Sequence, residues 1–163
     1  MNFSLECCRN LPEATLEPGA VLLNEGQSTN RMYILIEGEV QILRGDVEVA
    51  TTSHPGAVFG EMAILLDTPH TATVKALTPC RVYAIEDAET FLAANPELMG
   101  HVGKLLALRL QLATGYLADL KSQFAEHEDH LCIVDEVLES LMHQQEPAFH
   151  PGGSERDGET GTT

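Results

Sequence analysis

Apolar residues recur in two rhythms along this chain, and the rhythm changes near Glu86. From Ala20 to about Glu86, short apolar runs are cut by turn residues. Val21-Leu22-Leu23 ends at Glu25-Gly26, and Met32-Tyr33-Ile34-Leu35-Ile36 ends at Glu37-Gly38. Val40-Gln41-Ile42-Leu43, Val47-Glu48-Val49 and Ala72-Thr73-Val74-Lys75-Ala76 alternate, and Arg81-Val82-Tyr83-Ala84-Ile85 follows. Period-two patterning between turn residues predicts strands. Gly45-Asp46 is a two-residue hairpin signal, and Pro55-Gly56 marks a further turn. Many short strands at close spacing predict a barrel, sandwich or jelly roll.

The flanks read as helix. Residues 1–17 predict a short helical lead-in, closed by Pro18-Gly19. Asp87 is placed to cap a short helix carrying Phe91 and Leu92. Asn95-Pro96-Glu97 is a strong start signal: a capping side chain, a proline at the first helical position and an acid in the first turn. A long helix should follow from about Pro96 to Phe124. Leu106, Leu110, Ala113, Leu117, Leu120 and Phe124 form one stripe, and Leu105, Leu108 and Leu112 widen it. One helix resting on a sheet needs a single stripe. The extra face predicts a second contact. The favoured partner is the same helix of another subunit, in a homodimer; the alternative is residues 131–142, also helical in period, folding back. An additional helix is therefore expected within 125–145. Residues 146–163 are rich in Gly, Ser, Thr and charge, and predict a disordered tail.

Composition narrows the function. A length of 163 residues with 44% hydrophobic positions suits one domain. The net charge is -16, from 25 acidic and 9 scattered basic residues. Such a surface repels phosphate backbones, so nucleic acid and anionic membranes are poor partners. No apolar run reaches membrane-spanning length, and the first residues lack the basic and apolar regions of a secretory signal. Cys7, Cys8, Cys80 and Cys132 show no C-x-x-C or zinc spacing. Free thiols fit a reducing cytoplasm.

The chemistry concentrates in Phe59-Gly60-Glu61-Met62-Ala63-Ile64-Leu65-Leu66-Asp67-Thr68-Pro69-His70-Thr71-Ala72-Thr73-Val74. A glycine precedes an acid, one apolar helical turn, a polar loop and a strand. The turn offers backbone N–H groups to an anion, and Glu61 can accept from hydroxyl donors. A sugar phosphate presents both kinds of group.

This segment, with Leu16-Glu17-Pro18-Gly19, Tyr33-Ile34-Leu35-Ile36-Glu37-Gly38-Glu39-Val40 and Pro69-x-Thr71-Ala72, resembles the cyclic nucleotide-binding domain of the catabolite activator family and of cyclic-nucleotide-dependent kinases and channels. The resemblance runs from about Leu16 to Phe124, with the motifs in order. It implies a mainly β fold with α: an eight-stranded antiparallel β-roll (jelly roll, double-stranded β-helix) over residues 18–124, including the long C-terminal helix. It implies a regulatory, non-enzymatic sensor taking cAMP or cGMP, with no cofactor. Phe59, Gly60, Glu61, Met62, Ala63, His70, Thr71, Ala72 and Thr114 are the ligand-binding positions so implied. Glu61 would hold the ribose 2′-hydroxyl, and backbone amides near Ala63 and Thr71 the cyclic phosphate. Thr71 is either a base-reading hydroxyl or a plain turn residue, and Thr114 either a base contact or an exposed helix threonine.

The chain departs from that family at one central position. The cassette's usual arginine is His70. Arginine is permanently charged and grips phosphate bidentately; histidine, with a reference pKa of about 6.5, is mostly neutral at pH 7. Losing a charged hydrogen bond of about 1.5–3 kcal/mol weakens binding roughly 10- to 100-fold. Either nucleotide binding persists weakly and improves as pH falls, or the pocket serves another ligand or is a nucleotide-independent interaction and dimerisation module. Arg31 and Lys75 are the nearby cations that could in principle reach in. The catabolite activators continue into a helix-turn-helix, for which no basic recognition helix exists here, so the output would be an effector protein.

Two further constellations carry less. His127-Glu128-Asp129-His130 sets two histidines at i, i+3, a chelating spacing with His143 or Cys132 as a distant third ligand; a solvated connector has the same composition. A cupin-like metal enzyme shares the β-roll shape, but only His54, Glu61 and His70 lie in the right region, without a His-x-His pair. No serine-hydrolase elbow or P-loop occurs.

Overall fold

A computed structural model describes residues 5–124 and 128–143 of the chain. Contacts divide it into two units, residues 1–106 and 107–163.

The first unit carries the β-roll. Eight strands run β1 (Glu13–Leu16), β2 (Val21–Leu23), β3 (Met32–Glu37), β4 (Val40–Arg44), β5 (Val47–Thr52), β6 (Val58–Phe59), β7 (Thr73–Ala76) and β8 (Cys80–Ile85). They form two four-stranded sheets, ordered β1-β8-β3-β6 and β2-β7-β4-β5. Every pairing is antiparallel. The eight-stranded roll is the architecture implied by the motifs. The β4–β5 hairpin turns at Gly45-Asp46 as its sequence requires.

The lead-in departs from expectation. Among the described residues of this stretch, Leu5–Cys8 forms a helical turn, of the 3₁₀ type, and residues 13–16 form β1. Glu-Ala-Thr-Leu is too short to reveal its period. Pairing with β8, in register from Glu13 opposite Tyr83 to Leu16 opposite Cys80, decides its state.

The long apolar run of β3 follows from burial on both faces. Met32 and Ile34 join Val58, Tyr83, Ile85, Leu92, Leu98 and Val102 in one cluster beneath the helices. Leu35 joins Leu22, Phe59, Val74 and Val82 in a second cluster between the sheets. Alternate residues of β8 divide the same way. A strand covered on both faces has no polar side to alternate with. β5 lies at a sheet edge and is almost wholly exposed.

Three helices complete this unit. α1 (Glu61–Leu66) lies between β6 and β7. α2 (Ala88–Ala94) starts at Asp87, whose carboxylate accepts from the Thr90 N–H, as its sequence indicates. α3 (Pro96–Gln123) begins after Asn95. The Asn95 carbonyl accepts from Met99 N–H, but its side chain turns backward and donates to the Phe91 carbonyl at 2.8 Å. Asn95 therefore closes α2 with its side chain while opening α3 with its backbone. Leu98 and Val102 are buried in the core beneath the sheet, each worth about 1.5–3 kcal/mol on transfer from water.

In the second unit, the rest of α3 is followed by α4 (Glu128–His143). Lys121 on α3 pairs with Asp135 on α4. Leu117 and Leu120, and Val134, Val137 and Leu138, are half-buried. Fold-back was the alternative to an intersubunit contact, and α4 supplies it in part. Leu108, Leu112 and Tyr116, spaced i, i+4, i+8, remain 56%, 68% and 65% exposed. The chelating histidines are not brought into view: His127 lies outside the described residues, as do the side chains of His130, Cys132 and His143 and the tail 146–163. Among the described residues no helix is long and apolar enough to cross a membrane.

Gly38 joins β3 to β4 at φ +103°, where a β-carbon would lie 2.5 Å from the Pro79 carbonyl oxygen and 2.6 Å from Cys80 Sγ. Backbone cannot give way cheaply there. Gly38→Ala should cost at least about 2 kcal/mol, lowering Tm by roughly 8–16 °C. Gly45→Ala, which meets only open space, should cost about half as much. Calorimetric melting of both variants checks the difference, and equal shifts would show that the close contact is not what Gly38 is for.

Candidate functional site

β6 ends at Phe59, a core residue buried beside Leu22, Leu23 and Val74. The chain then turns at Gly60, φ +93°, where a β-carbon would lie 2.6 Å from the Arg31 carbonyl oxygen. Glycine alone tolerates both the conformation and the approach. α1 follows at once. Its first intrahelical bond runs from Ile64 N–H to Gly60 O at 3.4 Å, so the Met62 and Ala63 N–H groups precede the helical ladder. The helix has six residues. A helix this short has little macrodipole, so attraction for an anion rests on local N–H groups rather than on a long helical field.

Glu61 and Ala63 face inward, and Met62, Leu65 and Leu66 face out. Asp67 closes α1 in the left-handed conformation, its N–H donating to the Ala63 carbonyl. The chain then runs back past Gln27. His70 N–H donates to Gln27 O at 2.9 Å, and His70 O accepts from Gly26 N–H at 2.8 Å. This pair pins the cassette's return to the β2–β3 loop.

Glu61 and His70 are the two buried polar or charged side chains of the described residues, each 4% exposed. His70 Nε2 lies 2.7 Å from Thr29 Oγ1. Burial holds the imidazole below the ordinary histidine value, so it is neutral at pH 7. Of the two nearby cations, Arg31 pairs with Glu86 at 2.9 Å. Lys75 occupies the face of β7 opposite buried Val74 and Ala76.

The remaining expected positions are dispersed. Thr71 is exposed, Ala72 is half-buried before β7, and Thr114 is half-buried on α3 in the second unit. The metal-enzyme candidates His54, Glu61 and His70 form no metal-binding group: among the described residues no cluster of three or more His, Cys, Asp or Glu could hold an ion.

Sequence reasoning missed Thr29 and Asn30. Thr29 holds His70 across 41 positions. Asn30 binds the start of α2, its amide donating to Asp87 Oδ1 at 2.8 Å and its Oδ1 accepting from Glu89 N–H at 3.0 Å. No local pattern marks either residue, because both partners are brought in by tertiary folding.

Comparison with known proteins places this arrangement. Residues 13–93 match the family described as the cyclic nucleotide-binding domain. The chain is 32% identical over 89 residues to a cAMP-dependent protein kinase regulatory subunit of Yarrowia lipolytica, covering 52% of this chain and 24% of that one. It is 32% identical over 108 residues to a CRP-like cAMP-activated global transcriptional regulator of Mycobacterium tuberculosis, covering 63% and 48%. The chain thus spans between a quarter and a half of these curated relatives. Among solved structures, the second cyclic-nucleotide domain of a protein kinase A regulatory subunit bound to Sp-2Cl-cAMPS matches with TM-score 0.53 and 26% identity, over 68% of this chain and 71% of that one. The Thermus thermophilus catabolite activator protein matches in fold, with TM-score 0.58 and 24% identity, over 68% and 55%.

A depressed histidine pKa fixes the sign of a pH effect. The neutral folded form contributes its full stability above about pH 6.5, and that contribution is lost as pH falls through the lower folded value. His70→Gln, which keeps a partner for Thr29, should abolish this component. The wild-type disadvantage relative to the variant should then grow below pH 6.5 by up to about 1.4 kcal/mol per pH unit. Urea unfolding at pH 8, 6.5 and 5 measures it. A difference independent of pH would mean that the imidazole is not held neutral.

Proposed function

Residues 13–93 belong to the cyclic nucleotide-binding domain family, and from that premise we propose that this chain is a regulatory, non-enzymatic sensor. It takes a cyclic nucleotide, cAMP or cGMP, in the 59–72 cassette and signals through α3 to an effector protein. The observation that carries the reading is the buried pair at the ends of the cassette, Glu61 and His70. A 2′-hydroxyl supplies the donor that the Glu61 carboxylate accepts. The cyclic phosphate meets the Met62 and Ala63 N–H groups and the neutral imidazole. The cAMP-dependent and cAMP-activated relatives support the ligand class.

Without the arginine, recognition is weak and coupled to protons. A phosphate beside His70 raises the imidazole pKa, so the complex takes up a proton that the free domain releases. Affinity therefore rises as pH falls through the complex's pKa, by up to about tenfold per unit, until the free domain also protonates below the ordinary histidine value. Transmission requires that nucleotide bind one arrangement of α3 more tightly than another.

A second reading has its own observation. His70 already has a partner in Thr29 at 2.7 Å, which suits a fold that needs no phosphate and works as an interaction module.

Calorimetric titration of cAMP and cGMP at pH 6 and pH 8 separates the two. The sensor reading expects tighter binding at pH 6, a gain of roughly 10- to 100-fold in His70→Arg, and at least about tenfold loss in Glu61→Gln. Silence of both wild type and His70→Arg at both pH values would leave only the interaction module. Binding by His70→Arg alone would assign the pocket to a different natural ligand.

Either reading needs an outlet, and the Leu108, Leu112 and Tyr116 stripe fits a second copy of the chain. Sedimentation equilibrium should show a homodimer. Leu108→Glu with Leu112→Glu should yield monomer without moving the melting of the first unit. A wild-type chain that stays monomeric at the highest attainable concentration would rule out self-association through this face.

A further inference from the structure

The polar groups at the two ends of the cassette suit a guest without charge. Glu61 and His70 are both buried, so a guest that meets them sheds its water first. The Glu61 carboxylate is an acceptor. His70 is pinned by its backbone to Gln27 and Gly26, and its Nε2 lies 2.7 Å from Thr29 Oγ1. A neutral imidazole and a hydroxyl can share that hydrogen bond in either direction, so the other ring nitrogen donates in one tautomer and accepts in the other. A sugar hydroxyl, which also does both, matches such a pair. A phosphate, which only accepts, uses half of it.

A buried phosphate monoanion needs a paired cation. Arg31 is engaged with Glu86, and Lys75 occupies the face of β7 opposite buried Val74 and Ala76. α1, six residues long, adds little field for an anion. A phosphate about 5 Å from the Glu61 carboxylate, at an effective dielectric near 20, is disfavoured roughly 100- to 300-fold, of which local N–H groups offset part. An uncharged ribonucleoside escapes that penalty. It also presents free 2′-, 3′- and 5′-hydroxyls, whereas a 3′,5′-cyclic phosphate leaves the sugar only the 2′-hydroxyl as a donor. We propose that the preferred guest of the cassette at neutral pH is an uncharged ribonucleoside, its sugar hydroxyls held by Glu61 and by the His70–Thr29 pair. Such a guest, whose assignment rests on the ribose site read above for residues 59–72, dispenses only with the phosphate.

Calorimetric titration of the whole chain at pH 8 with adenosine and cAMP, and with guanosine and cGMP, compares the guests base by base. For the better-bound base, the nucleoside should bind at least about tenfold tighter than its cyclic nucleotide. That ratio is read on the wild-type chain and needs no variant to fold. Lowering the pH to 6 should narrow it, and His70→Arg should reverse it. The matching 2′-deoxynucleoside should bind at least about tenfold more weakly than the ribonucleoside. A cyclic nucleotide bound more tightly than both nucleosides at pH 8 would overturn the proposal and leave the sensor reading standing. Equal binding of the ribo- and 2′-deoxynucleoside would overturn it as well, because Glu61 would not be holding the sugar. So would silence of the wild-type chain toward all four ligands. In that case uptake of cAMP or cGMP by His70→Arg would preserve the ribose site, and its silence would remove that site too.

Discussion

The Arg31 carbonyl lies where a side chain on Gly60 would have to be. That contact seats the cassette against the start of β3. It works together with its neighbours, because three consecutive residues hold both ends of the cassette and the start of α2. Thr29 meets His70 at the far end of the cassette. Asn30 binds the first turn of α2 through its side chain and, at 3.1 Å, through its carbonyl to Ala88 N–H. Arg31 presses on Gly60 and pairs with Glu86. Because the residues are adjacent, a shift of one is felt by the others within a bond or two. The 59–72 segment and α2 are thus moored to the same short strut.

The electrostatic character of the cassette follows from one substitution. A permanently charged arginine would attract phosphate at any pH and offset the Glu61 carboxylate. A buried imidazole does neither until it is protonated. Glu61 and a phosphate about 5 Å apart, at an effective dielectric near 20, repel by about 3 kcal/mol. Local N–H groups offset part of this, and a proton on His70 can supply more. The chain's charge of -16 adds to the general cost of approaching anions.

The second unit solves a different problem. α3 is apolar around more of its circumference than any one neighbour can cover. Leu117 and Leu120 are half-buried, and Lys121 of α3 pairs with Asp135 of α4. Leu108, Leu112 and Tyr116 stay exposed among the described residues.

Much of this molecule was decided by sequence. The turn residues between apolar runs set the strands, because a strand cannot propagate through Gly45-Asp46 or Pro55-Gly56. The cap at Asp87 set the start of α2, because it uses only neighbours three residues away. The cassette was readable because glycine, acid, apolar turn and strand are contiguous. Tertiary structure alone decided the rest. Glu13–Leu16 became a strand because β8 offered it a partner, and Asn95 turned its side chain back to α2. Arg31 went to Glu86 instead of the cassette, and His70 went to Thr29. Each of these choices depends on groups far away in the sequence, and local periodicity carries no information about them. Residue order fixes which chemistry is present; only packing fixes which groups meet, because burial and hydrogen-bond satisfaction are settled by the whole fold at once.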